Sequence, residues 1–324
     1  MKIRRIIALN LFLVGMSAEV LGIKKEKELI FYHASFRRDS SLTFNKSDMK
    51  RRFLLQAYGG DNFHRMAYLS AFSLLNAGVP AESLIFFTDA KEKFSFGCQN
   101  IEATRHCIRA WQGDLFFPHR LKIKLLQATA ERFPDTEITY IDADTFASAV
   151  PPSVGEQGKR VLFDRKDTAF PPDWLELYRK GCGIQPEMWI AGVIGLAAKD
   201  ILAVCEVALE VCDRLSLLYP KKIEYVEQYG FSAACASFEK LSADHSLIHY
   251  WNRSREVEKI ISKFSYTELE KITPKRFEEI CIEADALRHS IFHQLRLRIK
   301  RLQRSFYKRK REMIAKKKRR TSRY

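Results

Sequence analysis

Glu137-Ile-Thr-Tyr-Ile-Asp-Ala-Asp-Thr-Phe146 is the stretch that decides the predicted fold of this chain. Residues 138–141 form a mostly apolar run that is typical of a buried strand, and the run ends in Asp142 and Asp144. Because residues two apart on an extended segment point to the same side, the two carboxylates can converge on one point. Such a point suits an oxygen-binding divalent cation such as Mg²⁺ or Mn²⁺.

The position of this aspartate pair favours a binding site. In open α/β sheets, ligands bind at the carboxyl ends of the strands, and the pair falls where the predicted strand ends. An Asp-x-Asp tripeptide also arises by chance about once in a chain of this length at average composition. A solvated turn is therefore the alternative interpretation of these residues on their own.

Apolar runs and helix signals alternate along the rest of the chain. Further strands are predicted at residues 29–33, 84–89, 161–164, 188–197 and 246–251. Helices are predicted at about 62–76, capped by Asp61, at 118–132, opened by Pro118, and at 199–218. This alternation predicts an α/β fold, a mostly parallel sheet with helices on both faces.

Length and composition indicate a globular protein with an appendage. The chain has 324 residues, of which 46% are hydrophobic and 12% aromatic, and this excludes a disordered chain. We predict an apolar amino-terminal segment at 1–24, one large domain over 25–255, and a helical, strongly basic extension over 256–324.

The net charge of +16 is concentrated at the carboxyl end. Residues 288–324 contain sixteen Lys and Arg and one acidic residue, Glu312, so they carry +15 of that charge. The body of the protein is close to neutral, and the tail is its basic element.

The cysteines and the amino terminus bear on the compartment. Seven scattered cysteines, without a Cys-x-x-Cys pair, favour a reducing compartment over a disulfide scaffold. Lys2, Arg4 and Arg5 precede the apolar run 6–14, as in a signal peptide, but Asn10 interrupts that run. We expect a cytoplasmic protein, and secretion stays open as the alternative.

Three further patterns follow the aspartate pair in order. Residues 189–196 read as a strand with Gly192 inside it, where a ligand or another backbone can approach closely. Glu227 and Gln228 place an acid and an amide in aromatic surroundings, and His249 lies near the end of the last predicted strand.

The order of these patterns resembles the glycosyltransferases of the GT-A fold, above all the group containing glycogenin and the bacterial lipopolysaccharide galactosyltransferases. That group has Y-L-D-A-D, N-x-G-V, D-Q and H-F or H-Y. This chain has Y-I-D-A-D at 140–144, I-A-G-V at 190–193, E-Q at 227–228 and H-Y at 249–250. The resemblance covers about 29–251. Ile190 stands in place of Asn and Glu227 in place of Asp, and the Lys-Pro-Trp expected after the histidine is absent.

The resemblance implies a nucleotide diphosphate sugar donor, expected to be a UDP-sugar, bound together with Mn²⁺ or Mg²⁺. The metal ligands it implies are Asp142, Asp144 and His249. The donor contacts it implies are Tyr32 on the base, Asp89 on the ribose or base, Arg120 and Lys124 on phosphate, and Asp142 and Gly192. Glu227 and Gln228 are the implied catalytic residues, which orient the acceptor or stabilise charge.

Each of these assignments has a structural alternative. Taken alone, His249 is also typical of a structural histidine that is hydrogen-bonded within the core. Glu227 is also typical of a salt-bridge partner. Arg120 and Lys124 are also typical of the solvent-exposed face of a helix, and Tyr32 is also typical of a side chain that only packs in the structure.

The basic tail contains an amphipathic pattern. Its apolar stripe is formed by Ile291, Leu295, Ile299, Leu302 and Phe306. Basic residues fill the other faces, which favours binding of residues 288–324 to an anionic membrane surface. Packing of the stripe on the domain and electrostatic binding of nucleic acid are the alternatives.

These observations lead to one principal hypothesis. The chain is predicted to be a metal-dependent glycosyltransferase, peripheral on the inner face of the membrane, that moves a hexose to a surface-glycan or lipid-linked acceptor with retention of configuration. The alternatives are a secreted glycosyltransferase that modifies proteins, and an inactive GT-A scaffold that binds membrane or nucleic acid through its tail.

Overall fold

A computed structural model of the protein describes residues 51–289, apart from residues 95, 115, 156–157, 222 and 250–253. Several predictions lie outside the described residues. They concern segment 1–24, the strand at 29–33 with Tyr32, the residues after His249 in the strand predicted at 246–251, and the tail beyond residue 289.

The described residues form nine strands and nine α-helices. The strands are β1 Arg51–Ala57, β2 Leu84–Thr88, β3 Gln99–Glu102, β4 Glu137–Ile141, β5 Thr145–Ala147, β6 Arg160–Phe163, β7 Val193–Leu196, β8 Glu239–Ser242 and β9 Leu247–His249. The helices are α1 Asp61–Asn76, α2 Arg105–Gln112, α3 Arg120–Arg132, α4 Pro172–Cys182, α5 Ala198–Leu218, α6 Val226–Ala234, α7 Ser254–Ile261, α8 Tyr266–Glu270 and α9 Pro274–His289.

Seven of these strands form one sheet in the order β3-β2-β1-β4-β7-β6-β8. The pairs β1–β2, β1–β4, β2–β3 and β6–β8 are parallel, and β7 runs antiparallel to both of its neighbours. β5 and β9 form a separate antiparallel ladder. The predicted mostly parallel α/β sheet is confirmed.

Helices cover both faces of the sheet, as predicted. Side chains alternate between the faces along a strand. On β1, Leu54 faces a core that includes side chains of α3 and α5, whereas Phe53 and Leu55 face a second core with α1 and α9. Full burial of a side chain of this size contributes about 1.5–3 kcal/mol to the stability of the folded state.

Three details of the predicted elements are wrong. The central strand β1 was missed, because it begins with two arginines; Arg51 is buried there against Glu137, with Nε 2.8 Å from the carboxylate. Helix α1 is preceded by Gly60, and Asp61 is its first residue instead of its cap. The strand predicted at 188–197 is shorter, since only Val193–Leu196 pairs in the sheet ladder.

The helices after residue 253 pack on the domain. Ile260, Leu269 and Phe277 are buried in the same core as Phe53 and Leu55. The boundary predicted after residue 255 therefore does not mark a break in the core. Within the described ranges, no helix has the length and apolar character needed to cross a membrane.

Candidate active site

The aspartate pair lies in a turn directly after β4. The Thr145 amide donates a hydrogen bond to the Asp142 carbonyl at 3.0 Å, which closes the turn. The Asp142 amide donates to the Gly192 carbonyl at 2.8 Å, which ties the turn to the chain entering β7. The extended geometry expected for these residues is wrong, because the strand ends at Ile141; the turn brings the two carboxylates together instead.

His249 reaches this turn through the β5–β9 ladder, in which Thr145 is the partner of His249. The imidazole Nε2 lies 3.2 Å from an Asp144 oxygen and 4.0 Å from an Asp142 oxygen. One ligand atom from each of the three side chains lies within 4.8 Å of the others. The three predicted metal ligands therefore form one cluster.

His249 is enclosed between two carboxylates. Its Nδ1 lies 2.8 Å from Asp164 Oδ2, on the side away from Asp144. Burial acts to lower the pKa of His249, but the hydrogen bonds to Asp144 and Asp164 outweigh it and raise that pKa to about 10. Burial acts to raise the pKa of Asp144, but His249 lowers it overall.

Gly192 makes room for the His249 ring. A Cβ atom at this position would lie 2.2 Å from Cε1 and 2.4 Å from Nδ1 of the imidazole, so no larger residue fits without movement. The group that approaches this glycine in the structure is thus a side chain of the protein. The predicted contact between Gly192 and the donor stays a prediction.

Lys122 is a site residue that the sequence reasoning missed. It lies on α3, is only 5% exposed, and places its Nζ 3.3 Å from Asp142 and 3.0 Å from Glu227. Its Nζ also donates to the Ala191 carbonyl at 2.8 Å. Burial acts to lower the pKa of Lys122, but the two carboxylates raise it overall, so the side chain is an ammonium ion.

A signal for Lys122 was present in the sequence. It precedes Leu125, Leu126 and Thr129 by three, four and seven residues, which places a lysine on the apolar stripe of the helix. A charged residue on such a stripe needs a buried partner, and here Asp142 and Glu227 are those partners.

Arg120 and Lys124 are directed elsewhere. Arg120 Nε lies 2.7 Å from Asp213, and Lys124 donates to the Gln127 side chain at 2.7 Å. Neither lines the cavity above the aspartates, so in this structure Lys122 is the basic residue of α3 at the site.

Glu227 and Gln228 lie in the first turn of helix α6 and are both buried. Glu227 reaches the cluster through its ion pair with Lys122, and Gln228 donates to Asp167 at 2.7 Å. Neither lines the cavity, so their predicted catalytic roles stay predictions.

Asp89 follows β2 and is held by the start of α1. One of its oxygens lies 2.7 Å from His64 Nε2, and the other accepts from the Gly59 amide at 3.2 Å. Burial acts to raise the pKa of Asp89, and these hydrogen bonds lower it overall. Asp89 supports the loop after β1 and does not itself line the cavity.

The cluster opens into a cavity of about 510 Å³, a size suited to a small organic ligand. Its walls combine aromatic, apolar and charged side chains. The lining residues are Gln56, Tyr58, Gly59, Phe63, Met66, Pro118, His119, Lys122, Tyr140, Asp142, Ala143, Asp144 and His249. Tyr140 donates its hydroxyl to Asp142 at 2.7 Å, which fixes that carboxylate further.

No family model matches the sequence, and no curated protein matches it. Among solved structures, an active-site mutant of LgtC is similar, with a TM-score of 0.39 and 13% identity over 56% of this chain and 70% of that chain. The apo form of the glycosyltransferase GlyE from Streptococcus pneumoniae TIGR4 has a TM-score of 0.41 and 14% identity, over 68% of this chain and 62% of that chain. Both similarities are distant. The α/β fold assignment rests on the strand order and on the packing of helices on both faces of the sheet.

Proposed function

We propose that this protein is a glycosyltransferase that takes a hexose from a nucleotide diphosphate sugar, expected to be a UDP-sugar, with a divalent cation at the site. The observation that carries the proposal is the cluster of Asp142, Asp144 and His249 at the wall of a ligand-sized cavity. The GT-A resemblance of the motifs supports the same function.

The side chains of the cluster fit a divalent cation. Two carboxylates and one imidazole supply the oxygen and nitrogen ligands that Mn²⁺ accepts. The Nδ1 atom of His249 is hydrogen-bonded to Asp164, so Nε2 is the ring nitrogen that faces Asp142 and Asp144. A bound cation would supply Lewis-acid stabilisation of the diphosphate leaving group.

The positive charge of Lys122 complements the negative charge of the diphosphate in the proposed donor. Its ammonium group lies in the cavity wall beside Asp142 and is held by Glu227 and the Ala191 carbonyl. A fixed, buried positive charge stabilises the negative charge of a diphosphate and needs no reorganisation as the leaving group departs. Glu227 then acts by positioning Lys122.

The aromatic residues of the cavity suit the rest of a nucleotide. Tyr58 and Phe63 line it, and Phe63 is 51% exposed, which is unusual for a side chain of its size. Flat rings of this kind stack on nucleobases. Gln56 in the same wall offers both a donor and an acceptor to a base or a ribose.

The acceptor belongs to the same proposal. A surface-glycan or lipid-linked acceptor is consistent with a basic tail that binds an anionic membrane, and the His-containing metal site resembles the retaining members of the GT-A group. We therefore propose retention of configuration, with the protein peripheral on the inner face of the membrane.

Donor turnover tests this function. The purified protein is incubated with UDP-glucose, UDP-galactose, UDP-N-acetylglucosamine and GDP-mannose, with Mn²⁺ or with a chelator, and the released nucleoside diphosphate is measured. The Asp144→Asn variant is compared with Asp135→Asn, which makes the same change at an exposed residue before β4.

We expect Mn²⁺-dependent release from one donor, loss of that release in Asp144→Asn, and wild-type release in Asp135→Asn. Absence of turnover with every donor, or turnover that is indifferent to both the chelator and Asp144, contradicts the proposal. Nucleotide binding without metal and without turnover would favour the inactive scaffold.

A further inference from the structure

Asp164 is a buried carboxylate beside the metal cluster for which neither the sequence motifs nor the proposed donor contacts give a role. It directly follows β6, its side chain is only 1% exposed, and it does not line the cavity. A carboxylate buried to this extent is costly unless a partner compensates its charge. The partner is His249, whose Nδ1 lies 2.8 Å from Asp164 Oδ2.

The backbone around Asp164 fixes the carboxylate in place. The Asp164 carbonyl accepts hydrogen bonds from Ser242 Oγ at 2.9 Å and from the Ala243 amide at 3.0 Å. These contacts join the end of β6 to the end of β8, so the Asp164 side chain extends from a rigid part of the sheet.

The bond from His249 to Asp164 selects the histidine tautomer. Once the ring is neutral, a proton held on Nδ1 by Asp164 leaves the Nε2 lone pair on the side of Asp144, where a metal ligand is required. The opposite tautomer would direct an N–H group at the two aspartates and would block coordination by the ring.

Gly192 holds the same ring from another side. A Cβ atom there would overlap Nδ1 and Cε1, so the imidazole packs directly on the glycine backbone. The hydrogen bond to Asp164 favours one tautomer of His249, and the contact with Gly192 restricts the orientation of the ring.

We propose that Asp164 is a positioning residue that fixes the tautomer and orientation of His249 for binding a divalent cation. This inference rests on the proposed function, since it assumes that the cluster takes a metal. It predicts a role for a carboxylate that touches neither the donor nor the cation.

Metal binding by the full-length protein tests the inference. Mn²⁺ is titrated alone, and again in the presence of UDP, while free Mn²⁺ is followed by electron paramagnetic resonance. The variants are Asp164→Asn, which keeps the size and removes the charge, and Asp135→Asn, which makes the same change at an exposed residue before β4. Thermal unfolding of the metal-free proteins checks that both variants fold.

We expect Asp164→Asn to weaken Mn²⁺ binding by about 10- to 100-fold, the usual effect of losing a carboxylate partner of a histidine ligand. Asp135→Asn should stay within about twofold of wild type. A purely structural role for Asp164 would lower the unfolding temperature and leave the Mn²⁺ affinity of the folded protein unchanged.

The tautomer itself gives a second readout that needs no variant. With Mg²⁺ and UDP bound, nitrogen-15 spectra of the wild-type protein should show His249 protonated on Nδ1. Protonation on Nε2, or an Mn²⁺ affinity of Asp164→Asn within twofold of wild type, overturns the positioning role alone. Absence of Mn²⁺ binding by the wild type, with and without UDP, overturns the metal site and this inference together.

Discussion

Lys122 Nζ lies 3.0 Å from a carboxylate oxygen of Glu227, and this buried ion pair joins helix α3 to helix α6 behind the cavity. The same ammonium group contacts Asp142, so one cation balances an acid of the predicted catalytic pair and an acid of the metal cluster. The pair links Glu227 to Asp142 through Lys122, although Glu227 does not line the cavity.

We expect Lys122→Met to destabilise the protein by about 3–5 kcal/mol, because it leaves buried carboxylates without their cation. Donor binding should weaken as well, since the fixed positive charge is lost. Denaturant unfolding and UDP titration in the presence of Mn²⁺ measure the two effects. Lys124→Met on the same helix is the matched control, with an expected cost of about 1 kcal/mol or less. Equal effects of the two substitutions would contradict the role assigned to Lys122.

Metal affinity should rise with pH. In the metal-free protein the pKa of His249 is raised to about 10, so its imidazole carries a proton that must leave before Nε2 can bind a cation. Below that pKa we expect about one proton released per Mn²⁺ bound and an affinity gain of about tenfold per pH unit. Calorimetry in buffers of different ionisation enthalpy counts the protons. His245→Gln, at a side chain that is 94% exposed, should not change the count, whereas His249→Gln should remove it.

Gly192→Ala should displace the His249 ring. The added methyl group would lie 2.2 Å from Cε1, and relief of such overpacking typically costs about 1–3 kcal/mol. We expect a loss of Mn²⁺ affinity together with a lower unfolding temperature. Gly60→Ala is the control, because a Cβ atom there meets nothing within 4 Å. Unchanged metal affinity in Gly192→Ala would show that the ring does not need this space.

Replacing the basic run 316–320 with glutamine should weaken binding to vesicles that contain anionic lipid. Each Lys or Arg near such a surface contributes about 1 kcal/mol, so five replacements remove most of the attraction from this run. Co-sedimentation with anionic and with neutral vesicles measures the effect, and donor turnover should not change. If vesicle binding is unchanged but RNA or DNA binding is lost, the tail is a nucleic-acid element.

The sequence predicted the mostly parallel sheet and the grouping of three side chains at its edge, but it missed strand β1 of that sheet. The cluster of Asp142, Asp144 and His249 followed from the order of short motifs, since each of these side chains lies at or near the end of a strand. Strand β1 was missed because it begins with two arginines, which are untypical of a strand inside a sheet. Arg51 is neutralised there by Glu137 on the neighbouring strand β4. Such cross-strand compensation is not visible until the register is known.

The direction in which side chains point was the second feature that the sequence did not predict. Arg120, Lys122 and Lys124 alternate along one helix, and only the packing of α3 shows that the middle one faces the cavity while Arg120 pairs with Asp213. Asp164 carried no motif of its own in the sequence, because its contact with His249 depends on how β6 and β9 are placed.

Calorimetric titration of UDP into the protein, with and without Mn²⁺, in the wild type and in Asp144→Asn, tests the metal-dependent donor site most directly. We expect binding that requires both the metal and the Asp144 carboxylate, with Asp135→Asn behaving as wild type. Binding that is equally strong without Mn²⁺ or in Asp144→Asn, or no binding under any of these conditions, would contradict the proposed donor site.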